Sequence, residues 1–458
     1  MAFKMTQGDS RLKAHLARKL RLTDYFTLAW GTMVGVGWLV VMDDWLIRGG
    51  PLGAILGFAI GGSLLLPIGY VYGQLVKLIP DASGEVAYTA KVFPAPVSFV
   101  TGWMMMLAYF IVCPWEAVAV GRIAGYIFPQ LNSLVLYRLG GKPVYLPHLV
   151  IGLGLTFLLT ILNYKGIRLS ASFQNWTSFG TLALFVVFVA FGSAHGSLQN
   201  VPPLLSHKSL LLSIFLVMQI VPYYMTGFES VTKSVEEASP EFSANNFLKA
   251  ISMAIIVGIL FYTIVIAAVA YAAPWRGLTG DFMTAAAFEH AIGSHWIVNI
   301  ILSAALLSLF KVFNGNFVAA SRLLFALGRR GLVDSRLARV DPRTQTPSAA
   351  ILSVGLSTAA CMFLGQAILV PVSEVGSVAS ASGWMAACSA YFVFAPTRVK
   401  RLIAAVGAFL GMMMILMKVV PFFPGHFSGY EWLALAIWIS VGVLLNLRRG
   451  RTSTTVAA

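Results

Sequence analysis

Gly31-Thr32-Met33-Val34-Gly35-Val36-Gly37 interrupts an apolar stretch that begins near residue 24, and Tyr223-Tyr224-Met225-Thr226-Gly227-Phe228-Glu229-Ser230 interrupts another. Each glycine weakens a helix by about 1 kcal/mol relative to alanine. Backbone opened in this way cannot face lipid, but it can line a cavity. Glycines also allow helices to pack closely, and for Gly35 and Gly37 alone the two readings are balanced. The matched interruption five spans later favours unwinding. Broken helices at positions one and six are the pattern of a transporter built from two inverted five-helix repeats.

The stretches around the two breaks support the membrane reading. The 458 residues are 58% hydrophobic and 11% charged, whereas charged residues make up about 25% of a soluble domain. Apolar segments of about 20 residues, each able to cross the hydrocarbon core, recur along the whole chain. About twelve begin near residues 24, 52, 96, 146, 172, 211, 250, 294, 346, 371, 401 and 430. The expected fold is therefore an all-α membrane protein with about twelve transmembrane helices. Its expected organisation is an arm at 1–23, repeats at 24–195 and 208–397, two added helices at 398–448 and a tail at 449–458. No cleavable leader pattern precedes the first span.

The net charge of +15 is compatible with nucleic-acid binding until its distribution is considered. Lys4, Arg11, Lys13, Arg18, Lys19, Arg21, Lys77, Lys91, Lys165, Arg168, Lys233, Lys249 and the basic residues of 322–343, 398–401 and 448–451 all fall in alternate loops. The opposite loops carry Arg48, Arg138, Lys142, Lys208 and Arg276. This asymmetry is that of a protein with both termini in the cytoplasm, in a cell membrane, and it leaves no case for a nucleic-acid partner.

Cys113, Cys361 and Cys388 lie within apolar spans. They are expected to be buried small hydrophobes, with no metal site and no disulfide-linked partner subunit. His195, His207, His290, His295 and His426 fall in or near outer loops without metal-ligand spacing. No phosphate-binding loop and no nucleophile–base constellation occurs, so neither an enzyme nor a bound cofactor is expected.

Four kinds of charge stand inside or near the spans. Lys311 lies eleven residues before Arg322, about 16 Å at 1.5 Å per residue, which is half of the hydrocarbon thickness. Glu116 lies mid-span in Cys113-Pro114-Trp115-Glu116. Ionisable residues at such depth mark functional sites by default. Two roles stand open for Glu116: a buried pair with Lys311, or contact with a cationic substrate or a proton. Asp43 and Asp44 beside Arg48 read as vestibule charges. Glu229, Glu236 and Glu237 lie toward the cytoplasm, solvated or in gate ion pairs with Lys233, and Arg122 and Lys418 are expected to snorkel.

The chain resembles the amino acid–polyamine–organocation superfamily of secondary transporters over nearly its whole length. The resemblance rests on the 31–37 glycine motif and on LVKLIPDASGEVAYTAKVF at 75–93. It rests further on Gly227-Phe228-Glu229-Ser230 with Glu236-Glu237 and Pro240, and on Ser321-Arg322-Leu323-Leu324-Phe325-Ala326-Leu327-Gly328-Arg329-Arg330-Gly331 followed by Thr346-Pro347. Departures are Gln74 where many members have Glu, Ser83 for a second glycine and Ser239 for Asn. Thr181 falls where some proton-coupled members have a lysine, and Lys311 where small residues are usual.

A substrate carboxylate suits the N–H groups freed by a break, and an ammonium suits the freed carbonyls; the resemblance implies the same division. The expected substrate contacts are Val34, Gly35, Val36, Gly37, Tyr224, Thr226 and Gly227, with Trp38, Tyr223, Tyr224 and Phe228 for the pocket or a gate, and Glu116. The expected coupling residues are Lys311, Glu116 and Thr181. The expected partners are an amino acid or related amine, protons and the lipid bilayer. Proton symport and exchange both remain open, and sodium is not expected, because Lys311 stands where its ligands would be needed. The alternatives are a polyamine or organic-cation transporter, or a non-transporting membrane sensor of amino acids, which the short tail after the last span disfavours.

Overall fold

The computed structural model describes residues 16–276, 283–294 and 296–452. Lys4, Arg11, Lys13, His295 and the end of the tail lie outside them. The described chain is an all-α membrane protein but for one hairpin. Ten helices are long and apolar enough to cross a membrane, and an eleventh crossing is the pair Leu210–Met218 and Val221–Glu237, bent by 44°.

The first apolar segment forms Leu22–Met33, breaks at residues 34–36, and resumes as the four-residue Gly37–Val40. Helix continues in Met42–Leu78, kinked at Gly50 and Pro51, where spans one and two join. The third expected span is Ala95–Ile127, the fourth Leu146–Lys165, the fifth Ile167–His195 and the seventh Asn245–Ala272. Span eight is Trp296–Arg329, 34 residues long. Ser348–Gly365, Glu374–Phe394, Arg398–Val419 and Gly429–Leu447 follow.

The hairpin was not expected. Val135–Leu139 and Lys142–Tyr145 pair antiparallel around Gly140-Gly141, a dipeptide suited to a two-residue turn between twisted strands. The apolar residues flanking that turn had merged into the general hydrophobicity of the chain.

Span eight is the hub. It packs on Leu22–Met33, Ala95–Ile127, Ile167–His195 and Ser348–Cys361, and nearly every side chain from Lys311 to Gly328 is buried. Polar side chains join it to its neighbours. Asn314 Nδ2 donates to Gln174 Oε1 at 2.9 Å, Asn163 Nδ2 donates to Asn314 Oδ1 at 3.0 Å, and Gln174 Nε2 donates to the Thr27 carbonyl at 3.2 Å. Between helices in lipid, where apolar contact alone gives no preference, such bonds and close packing hold the arrangement. The last two helices sit at the rim and leave many apolar side chains outward.

Candidate functional site

Neither a proline nor a left-handed residue opens the first break. Donors from other helices do. The Thr32 carbonyl accepts from Asn316 Nδ2 at 3.2 Å and the Met33 carbonyl from the Tyr262 hydroxyl at 3.3 Å. The Val34 carbonyl accepts from Lys311 Nζ, and the one Ser308 hydroxyl proton is shared between the Gly35 carbonyl at 2.8 Å and the Val34 carbonyl at 3.2 Å. These groups would otherwise be orphans in a medium without water, at a cost of several kcal/mol each. Lys311 is fully buried, its ammonium 4.6 Å from the centre of the Trp30 ring. It sits at the C-terminal end of Leu22–Met33, where a cation complements the helix dipole.

The second break turns on Gly227, whose φ of +125° suits glycine and few other residues. A Cβ there would meet Met33 N at 2.8 Å, so the two breaks touch. Glu229 caps this break from within: Oε1 accepts the Thr226 hydroxyl at 2.9 Å and Oε2 accepts the Gly227 N–H at 3.1 Å. Thr226 also bonds Ser380 at 2.8 Å. Glu229 is therefore neither solvated nor paired with Lys233, because its carboxylate is consumed by the unwound backbone.

Between the breaks lies a cavity of about 30 Å³, lined by Thr32, Met33, Gly35, Val36, Gly37, Val112, Trp115, Glu116, Tyr223, Tyr224, Thr226 and Val312. That is room for about two waters. Seven expected residues meet there: Gly35, Val36, Gly37, Glu116, Tyr223, Tyr224 and Thr226. The Tyr224 ring lies on Gly37, where a Cβ would come within 2.5 Å of it. Trp45, Phe58 and Tyr262 pack around Tyr224 with ring centroids 4.7–6.4 Å apart.

Other expected residues stand apart from the cavity wall. Val34 turns its carbonyl to Lys311. Trp38 packs on Phe188 at 5.6 Å and Phe261 at 6.2 Å. Phe228 lies between Tyr72 and Trp384. The Thr181 hydroxyl donates to the Thr177 carbonyl of its own helix at 2.8 Å. Among the described residues no ion pair links Lys311 to Glu116. Glu116 Oε2 is buried without a hydrogen-bond partner. Val112, Trp115, Val312, Ser308 and Tyr262 were missed. Ser308 alone carried a signal, standing one helical turn before Lys311.

Ion pairs bridge distant segments on the side that the charge pattern assigns to the cytoplasm. Lys233 pairs with buried Glu85, not with the glutamates beside it. Arg322 binds Glu237 through Nε at 3.3 Å and Nη2 at 3.2 Å, both side chains fully buried. Arg329 holds Glu236 at 2.5 and 2.8 Å, and Arg330 holds Asp81 at 2.7 Å. Burial works against the Asp81 charge, but Arg330, the Ser83 hydroxyl and N–H, and Arg329 outweigh it and hold its carboxyl below the usual range. At the opposite face Arg48 pairs with Asp44 at 2.7 Å. Lys418 does not snorkel: it is buried and pairs with Glu374, a partner 44 residues earlier in the sequence. Cys113 and Cys388 are buried, whereas Cys361 is half-buried. Among the described residues no cluster of metal-ligating side chains forms.

Comparison with known proteins agrees with this architecture. Residues 20–444 match the amino acid permease family model. The chain is 25% identical to the branched-chain amino acid permease BcaP of Bacillus subtilis over 385 residues, covering 81% of this chain and 78% of that protein. It is also 25% identical to the aromatic amino acid transport protein AroP of Escherichia coli K12 over 372 residues, covering 79% and 77% of the two. The chain belongs to the amino acid permease family, membrane transporters of the amino acid–polyamine–organocation superfamily and not enzymes.

Proposed function

We propose that the protein moves an amino acid or related amine across the cytoplasmic membrane by alternating access, without sodium and coupled to protons or to exchange. The observation that carries this reading is the small cavity between the two helix breaks, which collects seven of the residues expected to meet substrate. The Val36 and Gly37 N–H groups have no partner among the described residues and are suited to a substrate carboxylate. The cavity is closed toward one face by the ion-pair layer and toward the other by the Trp45, Tyr224, Phe58 and Tyr262 cluster. It must widen to admit an amino acid, and that widening is the conformational step of the cycle.

Counting the broken first segment, Leu22–Met33 with its continuation beyond the break, brings the number of crossings to twelve. The packing repeats with an offset of five spans, in support of two repeats at 24–195 and 208–397. Span one packs on five and six on ten, three on four and eight on nine, and three on ten and eight on five. The basic residues of the ion-pair layer lie on the side assigned to the cytoplasm, as the charge pattern requires.

Lys311 supports sodium independence. Its ammonium holds the Val34 carbonyl and Ser308, oxygens at the contact of spans one and eight that a metal cation would need. A thermal-shift screen of the purified protein against amino acids and amines tests the reading, since a ligand at 100 times its dissociation constant stabilises by about 2.7 kcal/mol. Stabilisation by an amino acid or amine is expected; a flat response to every compound would overturn it.

A further inference from the structure

Resting on that reading, we infer that Glu116 is the acceptor for the substrate's ammonium group, in place of the carbonyls that the first helix break sets free. Those carbonyls are already engaged. Asn316 holds Thr32, Lys311 holds Val34, the single Ser308 proton lies between Gly35 at 2.8 Å and Val34 at 3.2 Å, and the Tyr262 hydroxyl reaches Met33. That one Tyr262 proton is shared with the Tyr224 carbonyl on the facing segment, 3.0 Å away against 3.3 Å for Met33. An ammonium entering the cavity brings several donors at once and needs an acceptor that the protein has not used.

Glu116 is that acceptor. It lines the cavity and is only 3% exposed. A Cβ built on Gly35 would come within 3.0 Å of its Oε1, so the carboxyl lies directly over the break. Its Oε2 has no hydrogen-bond partner. Buried carboxyl oxygens are rarely left so. The nearest fixed cation, Lys311, spends its bonds on Val34 and Ser308 and is no part of the cavity wall. Tyr223, Tyr224 and Trp115 complete the surround, with aromatic faces that favour a cation. The site therefore reads an ammonium by charge and a carboxylate only through backbone N–H groups. An amine without a carboxylate is a tolerated ligand, and a carboxylate without an amine is not.

The test is binding to purified wild type and Glu116→Gln, with leucine, phenylalanine and lysine as probes. For each probe the matching amine (isoamylamine, phenethylamine, cadaverine) and, for leucine and phenylalanine, the matching hydroxy acid (leucic acid, phenyllactate) are included. Wild type is expected to bind at least one amino acid and its amine and to refuse the hydroxy acid. Glu116→Gln is expected to bind those ligands about 10- to 100-fold more weakly, the loss of one charge-assisted bond. Equal affinity of the two proteins for an amino acid would overturn the inference and leave the transporter reading intact. So would binding retained in Glu116→Gln with only uphill accumulation lost, which marks a proton carrier. If Glu116→Gln does not fold, wild type decides: hydroxy acids that bind as well as their amino acids overturn the inference. Failure of wild type to bind any of these compounds would instead overturn the transporter reading itself.

Discussion

Lys311 shows what one residue contributes here. The expectation that a lysine at mid-membrane is functional came from its depth alone. Its partner did not come from depth. Glu116 was the obvious candidate, yet the ammonium goes to the Val34 carbonyl and Ser308, because a broken helix end offers oxygen that sequence does not display as charge. Lys311→Ala should leave counterflow measurable but lower proton-driven accumulation about 10- to 100-fold, the scale of a hydrogen bond to a charged group. Accumulation equal to wild type in proteoliposomes would contradict the role. Gly227 makes a different demand. Its φ of +125° and the 2.8 Å approach to Met33 N mean that Gly227→Ala carries strain of at least 1–2 kcal/mol. A lower thermal midpoint in detergent and loss of uptake are expected together, and an unchanged midpoint would show that the segment relaxes freely.

At the scale of elements, the breaks were legible and the bonds that hold them were not. Glycine runs advertise weak helix, and Gly35, Gly37 and Gly227 pointed to the right segments. Trp115 and Val312 went unread because an aromatic or a valine in a span is ordinarily lipid-facing or packed. The ion pairs of Lys233, Arg322, Arg329 and Arg330 were missed for a plainer reason. Lys233 was set beside Glu229, Glu236 and Glu237 in sequence, but its partner Glu85 is 148 residues away, and charge carries no record of such distance. This layer makes a pH prediction. Arg330 and Ser83 hold the Asp81 carboxyl below its ordinary value despite its burial. A carboxyl lowered on folding stabilises above its unfolded value, about pH 4, and that stability is lost as pH falls through the folded value. The Asp81 contribution should be unchanged between neutrality and about pH 5 and weaken below about pH 4. Acid unfolding followed by tryptophan fluorescence should show a smaller loss over that interval in Asp81→Asn than in wild type. Equal losses would remove Asp81 from the account.

At the scale of the whole molecule, hydropathy and charge asymmetry made the membrane class and most helices readable. Each span is its own apolar run and needs no partner to announce itself. The hairpin at 135–145 was lost in that background, and the full lining of the cavity was not readable, since it depends on contacts between segments. The central claim is that substrate crosses between the two breaks. The direct measurement is initial uptake of radiolabelled leucine, phenylalanine and lysine into proteoliposomes by wild type and by Gly35→Leu. Saturable uptake of at least one substrate by wild type is expected, unchanged when choline replaces sodium. Gly35→Leu should be folded and inactive, because its side chain fills the cavity against Glu116 and Val312. Uptake by Gly35→Leu at the wild-type rate would contradict the account.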